Sequence, residues 1–177
     1  DFIAVNNSSS PRSLYHIEYN GSGVEFIWDY SMPENVEGYF TQMLLDDFDN
    51  DGWIDLMVST WDTAGQLLCY RNNGDGTFSE RTSEAGLTGL FGGLNMIQAD
   101  YDNDGDVDVL VLRGGWQRNG PGISHPNSLL QNDGEGHFRD VTFAAGLGER
   151  HYPTQTASWA DFDNDGLLDL YVGNESF

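Results

Sequence analysis

Short runs of alternating apolar and polar residues recur along the chain, and the alternation has the period of a β-strand. The clearest runs, at 54–58, 107–111 and 168–172, each set one aspartate among apolar and often β-branched side chains. Glycine-rich segments at 72–77 and 132–137 lie between other apolar runs and supply the positive φ angles that tight hairpin turns require. The pattern therefore predicts an all-β chain.

These elements repeat in a fixed order. Each unit has the order strand, acidic loop, strand, strand, glycine-rich turn and strand, and the acidic loops begin at Asp47, Asp100 and Asp161. Matching tails at 82–87 and 142–147 close the first two units. Four short strands per repeat are the signature of a β-propeller blade, so we predict four-stranded antiparallel blades, about three in number, within a larger repeat array. The approximate repeats are 1–54, 55–107, 108–168 and a partial repeat at 169–177.

The acidic loops contain the candidate metal ligands. Each has Asp at loop positions 1, 3, 5 and 9 and Gly at position 6. These carboxylates can converge on one hard cation, the glycine permits a sharp turn, and the carbonyl of position 7 can complete the shell. In an empty loop the same carboxylates would repel one another. We therefore predict about three Ca²⁺ ions. The predicted ligands are Asp47, Asp49, Asp51, Trp53 and Asp55 in the first loop, Asp100, Asp102, Asp104, Asp106 and Asp108 in the second, and Asp161, Asp163, Asp165, Leu167 and Asp169 in the third.

The loops are not EF-hands. An EF-hand needs a bidentate Glu at loop position 12 and flanking helices. Position 12 is Val58, Val111 or Val172, and each lies in a strand-like run. We therefore expect the ion at a turn between two strands.

Several other residues could carry function, but a structural role is the simpler expectation for each. The aromatics at loop position 2, Phe48, Tyr101 and Phe162, are expected to pack beneath the loops as core, with a sugar platform as the alternative. Cys69 lies in an apolar run and is expected to be a buried apolar residue rather than a reactive thiol. The histidines lack zinc-site spacing or a partner nucleophile, so no catalytic residue is predicted. They are His16, His125, His137 and His151.

An insertion at 114–126 lengthens the second unit. It contains Trp116, and Arg113 and Arg118 are both assigned to it, Arg113 at its start. A solvated loop is the default expectation. Loops on a rigid scaffold are also common recognition sites, and Trp with Arg is a frequent pairing in interfaces, so a binding role is the alternative.

Both ends of the chain fit the register of the repeat. Residues 1–6 align with the strands that follow the acidic loops, and 20–26 falls where a hairpin turn belongs. We therefore expect Asp1 to be the last ligand of a fourth loop, in a window cut from a longer array. An unpaired strand edge favours association, so residues 1–8 or 169–177 are expected to meet further repeats or a second copy.

The motifs together resemble a known family. Asn-Asn-Gly-Asp-Gly-Thr-Phe at 72–78, Glu-Ala-Gly-Leu at 84–87 and Asp-Phe-Asp-Asn-Asp-Gly at 161–166 occur in that order. They resemble the FG-GAP or VCBS repeats of integrin-alpha-like β-propellers. The Phe-Gly-Gly at 91–93 is similar to the element that names the family, whereas the corresponding segments at 39–41 and 152–154 depart from it. The resemblance implies calcium in the loops, a secreted or surface location, and an adhesive or scaffolding use.

The overall charge limits the possible partners. The 177 residues carry 29 acidic and 7 basic side chains, a formal net charge of −22. Nucleic acid and anionic membranes repel such a surface, and no apolar run approaches the roughly 20 residues of a membrane span. We therefore expect protein or glycan partners at the cell exterior. Glycosylation sequons begin at Asn6, Asn7, Asn20 and Asn174.

Three classes of function remain open on the sequence. The first is a non-enzymatic calcium-binding module for extracellular adhesion, recognition or display. The second is a subunit of an extracellular fibre, in which neighbouring copies complete each other's blades by strand addition. The third is the scaffold part of a polysaccharide-active enzyme whose catalytic residues lie elsewhere.

Overall fold

The computed structural model describes residues 2–6, 13–31, 39–61, 66–113, 125–149 and 151–175. These residues form thirteen β-strands and no helix, which confirms the predicted all-β class. No helix long and apolar enough to cross a membrane is found in the described ranges. The strands are β1 (Phe2–Asn6), β2 (Ser13–Tyr19), β3 (Val24–Ser31), β4 (Tyr39–Asp46), β5 (Asp55–Trp61), β6 (Leu67–Asn72), β7 (Phe78–Glu80), β8 (Asn95–Ala99), β9 (Asp108–Leu112), β10 (Ser128–Asn132), β11 (Phe138–Asp140), β12 (Thr154–Ala160) and β13 (Asp169–Asn174).

The strands form antiparallel sheets in chain order. Two sheets have four strands: β4 to β7, here called the first blade, and β8 to β11, the second blade. Strands β1 to β3 form a three-stranded sheet, and β12 pairs with β13 in what we call the terminal hairpin. The predicted four-stranded blades are therefore confirmed, although these sheets do not close into a ring within the described residues. Asp1, Trp116 and Arg118 lie outside those residues.

The acidic loops occupy the same place in each repeat. Each loop joins the first and second strands of its sheet, and the residue before the loop pairs with the aspartate at loop position 9. The pairs are Asp46 with Asp55, Ala99 with Asp108, and Ala160 with Asp169. Pairing at this register brings the two ends of each loop side by side.

The core lies between neighbouring sheets, and strand β9 contributes to it on both faces. Val109 and Val111 pack with residues of the first blade, whereas Leu110 and Leu112 pack towards the terminal hairpin. Successive side chains of a strand point to opposite faces, and all five residues of β9 are buried. The apolar residues between the blades include Leu44, Phe48, Met57, Leu67, Cys69, Ala85, Leu87, Met96, Leu130 and Phe138.

The Phe-Gly-Gly segment crosses between the blades where there is no room for side chains. A Cβ atom on Gly92 would lie 2.1 Å from the carbonyl oxygen of Thr60, and one on Gly93 would lie 2.3 Å from that of Leu112. The backbone of Gly93 also bonds to the Ser59 hydroxyl, donating from its nitrogen at 2.7 Å. These glycines allow close contact between backbones rather than an unusual φ angle.

The aromatics at loop position 2 differ in burial, so the expectation for them is only partly correct. Phe48 is 1% exposed and packs edge-on against Phe138 of the second blade, with ring centroids 5.6 Å apart. Tyr101 is half-buried and stacks on Trp159 of the terminal hairpin. Phe162 is 71% exposed, and the core expectation is wrong for it. The reason is that each ring is covered by the following sheet, and no further sheet packs on the terminal hairpin among the described residues.

Arg113 is a structural residue rather than a solvated one. It is 4% exposed, and its guanidinium donates to the carbonyl oxygens of Phe91 at 2.6 Å and Pro126 at 2.7 Å and to the Ser128 hydroxyl at 2.6 Å. Burial lowers the pKa of Arg113 to about 10, against the opposing effect of the Asp140 charge. The expectation of a solvated or partner-binding side chain at this position is therefore wrong.

Cys69 is buried in the core, as expected. Its thiol forms no disulfide, and burial raises its pKa to about 12, with the charge of Asp55 acting in the same direction. A thiol in this environment is a packing residue.

Candidate metal centres

The three acidic loops share one backbone conformation. In each, the Asn at loop position 4 and the Gly at position 6 have positive φ. The values are 55°, 59° and 60° at Asn50, Asn103 and Asn164, and 90°, 97° and 88° at Gly52, Gly105 and Gly166. Asn is among the few residues that tolerate this region. The sequence reasoning missed the role of this Asn, although its presence in all three copies was the available signal.

Position 1 of each loop is fixed by the backbone of the same loop. The two carboxylate oxygens of Asp47 accept hydrogen bonds from the amides of Asp51 at 3.0 Å and Gly52 at 2.9 Å. Asp100 and Asp161 make the equivalent pairs of bonds in their loops. The turn therefore orients its first carboxylate through contacts only four or five residues apart.

Position 9 is fixed from two directions. One oxygen of Asp55 accepts from the amide of Phe48 at 3.2 Å, and the other accepts from the amide of Asn72 in β6 at 2.8 Å. Asp108 repeats both contacts at 3.2 and 2.8 Å, with Tyr101 and Asn132 as donors. The predicted metal ligand is thus held by the hairpin that follows it as well as by its own loop.

Burial changes the acidity of the two enclosed position-9 carboxyls. Asp55 and Asp108 are 3% and 1% exposed. The pKa of each is raised to about 6, with desolvation as the largest cause; the negative charges of loop positions 3 and 5 act in the same direction, and the hydrogen bonds from backbone amides oppose the shift. A cation bound among these groups would favour their ionised form.

The structure brings together three of the five predicted ligands in every loop. Carboxylate oxygens from positions 1, 3 and 9 lie within 4.8 Å of one another. The sets are Asp47, Asp49 and Asp55; Asp100, Asp102 and Asp108; and Asp161, Asp163 and Asp169. Three carboxylates form a hard, all-oxygen donor set of the kind that Ca²⁺ and Mg²⁺ prefer, so the residues fit such an ion.

Position 5 lies outside these sets. The carboxylates of Asp51, Asp104 and Asp165 instead accept hydrogen bonds from the amides of position 7, at 2.9, 3.0 and 2.8 Å. Ligation by position 5 and by the carbonyls of Trp53, Asp106 and Leu167 therefore stays a prediction.

Neighbouring loops contact one another through the Asn at position 4. The amide nitrogen of the Asn50 side chain donates to Asp106 of the second loop at 2.8 Å and to the carbonyl of Gly134 at 3.2 Å. Asn103 in turn donates to the carbonyl of Gly166 in the third loop at 3.3 Å. The three candidate sites therefore lie side by side along one edge of consecutive sheets.

Four-stranded antiparallel blades with an aspartate-rich loop between the first and second strands define a repeat protein of the β-propeller type. A family model described as an FG-GAP-like repeat matches residues 47–111 and 116–172, and the chain belongs to this family. The match confirms the resemblance inferred from the motifs.

Several relatives are similar over part of the chain. Cartilage acidic protein 1 of Xenopus tropicalis is 34% identical over 115 residues, and the human and mouse proteins of the same name are 33% and 32% identical. Each match covers 64% of this chain and 16% of the relative. The chain thus matches about one sixth of the length of these relatives.

Proposed function

We propose that this region is a calcium-stabilised extracellular repeat module, used in adhesion, recognition or display, and that its ions are structural. The observation that carries the proposal is the convergence of three carboxylates in each of three loops of one conformation. Bound Ca²⁺ would supply positive charge where the three negatively charged carboxylates of each loop converge. The non-enzymatic role is part of the proposal, since the chemistry at these loops suits ion binding.

The ligands are placed so that an ion would join separate parts of each blade. Position 1 directly follows the first strand, and position 9 is the first residue of the second strand. In the first two loops the position-9 carboxylate also accepts a hydrogen bond from the third strand, at Asn72 or Asn132. An ion held by Asp100, Asp102 and Asp108 would therefore connect three strands of the second blade. The remaining shell would come from position 5 and the carbonyl of position 7.

Calorimetric titration with Ca²⁺ tests the proposal, together with melting curves in calcium and in chelator. About three ions should bind. If the sites resemble extracellular modules with Kd near 10⁻⁴ M, millimolar calcium should add on the order of 1–2 kcal/mol per site. That gain corresponds to roughly 2–8 °C in Tm per site for a domain of this size.

Two variants with the same change of charge separate ligation from surface charge. Asp102→Asn removes a member of the second carboxylate set and should abolish or weaken about one site. Asp75→Asn changes an exposed hairpin carboxylate that accepts hydrogen bonds from the nearby Thr77, and it should leave calcium binding unchanged. A melting curve that does not respond to chelator, or equal effects of both variants, would refute the structural role of calcium.

The extracellular location is supported by the family and by the acidic surface. Both nucleic acid and anionic membrane would be poor partners for a net charge of −22. Protease treatment of intact source cells, combined with immunodetection in the medium, tests the location. Detection only inside protected cells would contradict it.

The fibre hypothesis is the second proposal, and it concerns the edge of the terminal hairpin. Strand β13 pairs only with β12 in the described residues, whereas the equivalent strands β5 and β9 each pair on both sides. Further residues of a longer chain or a strand from another copy could pair with this edge, and the fibre requires the second. Sedimentation velocity over a range of concentrations distinguishes the two proposals: a monomer at all concentrations excludes the fibre, and concentration-dependent growth supports it.

A further inference from the structure

The first acidic loop has a basic side chain bound directly to it. Arg71 lies on β6, and its Nε and Nη2 atoms are 2.5 Å from Asp49 and 2.8 Å from Asp51, respectively. These aspartates occupy loop positions 3 and 5. The guanidinium therefore already neutralises part of the charge that a metal ion would neutralise.

The second loop has a neutral side chain in the equivalent place. Gln131 precedes Asn132 on β10 as Arg71 precedes Asn72 on β6. Its amide donates to Asp102, again at loop position 3, at 2.6 Å. Arg139 on β11 donates to the side-chain oxygen of Gln131 at 2.9 Å.

The charges of the two loops therefore differ although their carboxylate sets are alike. The first loop has four aspartates and the contact with Arg71, whereas the second has five because position 7 is Asp106 instead of Trp53. Both side chains contact the carboxylate at position 3, Arg71 through an ion pair and Gln131 through a hydrogen bond, so charge is the main difference at this contact.

We propose that Arg71 is a positioning residue and internal counter-ion that lowers the calcium affinity of the first loop below that of the second. This inference rests on the proposed calcium binding. With the screening of bulk water, a divalent ion and a guanidinium roughly 6 Å apart repel each other by an amount that corresponds to about a tenfold change in Kd. Two adjacent sites of one fold would then fill at different calcium concentrations.

The test exchanges the two side chains in the full chain. Arg71→Gln should tighten binding at the first loop about tenfold, and Gln131→Arg should weaken binding at the second loop by a similar factor. Arg71→Lys keeps the charge and should retain weak binding. Arg139→Gln is the matched control for the first loop, because it removes the same charge from a residue of the second blade that contacts Gln131; the Kd of the first loop should match that of the parent.

The first loop can be followed separately because Trp53 lies within it. Tb³⁺ bound there should be sensitised by this indole and displaced by Ca²⁺, and the signal assigned to the first loop should disappear in Trp53→Phe. Calorimetry with Ca²⁺ reports all loops. Far-UV circular dichroism of each variant at saturating calcium checks that the fold is retained.

The two proposals fail in different ways. If the parent protein binds neither Tb³⁺ nor Ca²⁺, the proposed calcium function is wrong. If the parent binds calcium but Arg71→Gln leaves the Kd of the first loop unchanged or weakens it, Arg71 supports its aspartates rather than competing with the ion, and the inference is overturned.

Discussion

The position-2 aromatics provide a sharp test of the packing between sheets. Phe48 and Phe162 are the same residue at the same loop position, but the former is 1% exposed and the latter 71% exposed. Phe48→Ala and Phe162→Ala therefore delete the same atoms from the same local structure. Any difference in their effects must come from the neighbouring sheet.

The expected magnitudes follow from burial. Truncating a fully buried Phe costs about 3–5 kcal/mol of unfolding free energy, which includes the loss of the edge-on contact with Phe138. An exposed truncation is usually within about 0.5 kcal/mol. Phe162→Ala should therefore leave stability almost unchanged, whereas Phe48→Ala should lower Tm by roughly 6–20 °C.

Thermal and urea unfolding in calcium and in chelator would measure both variants. The backbone amide at position 48 still donates to Asp55 after the substitution, since only the side chain is removed. The loss of stability should therefore persist in chelator, where ligand binding cannot contribute. Equal destabilisation by the two variants would refute the packing of Phe48 against the second blade.

Two further predictions concern the contact between the blades. Gly93→Ala should lower the free energy of unfolding by more than about 1 kcal/mol in denaturant titration, because its Cβ would lie 2.3 Å from the carbonyl oxygen of Leu112. Gly23→Ala is the control and should be nearly neutral, since a Cβ there would have nothing within 4 Å. Similar unfolding midpoints for the two variants would contradict the close approach of the backbones. The Cys69 thiol, 5% exposed and with its pKa raised to about 12, should not react with a chromogenic disulfide reagent at about pH 8 until denaturant is added. Rapid modification of the folded protein would show that this part of the core is open.

Much of each candidate site could be predicted because its contacts are local. The amides that bind Asp47 come from Asp51 and Gly52, only four and five residues away, and the positive φ angles occur at Asn50 and Gly52 of the same turn. A nine-residue sequence therefore contains the donors, acceptors and permissive residues that it needs. The strand after the loop could also be predicted, since the alternation of apolar and polar residues is a property of neighbouring positions in the chain.

The second contact that holds position 9 in the first two loops could not be predicted in this way. Asp55 is also held by the amide of Asn72, and the Asn132 side chain reaches the carbonyl of Phe48 across 84 positions of the chain. Hairpin register and the approach of the next blade create these contacts. For the same reason, neither the contact of Arg71 with the first loop nor the burial of Arg113 could be predicted from the residues around them.

The sequence by itself determined the repeat, the strand order within it and the shape of the acidic loops, because these depend on residues close together in the chain. Only the tertiary structure decided in which repeats the side chain at a given loop position is buried. Phe48 and Phe162 have equivalent local sequences, yet Phe138 covers the first ring and nothing among the described residues covers the second to the same extent. Burial is a property of the neighbouring sheet, and no local pattern can encode whether that neighbour is in contact.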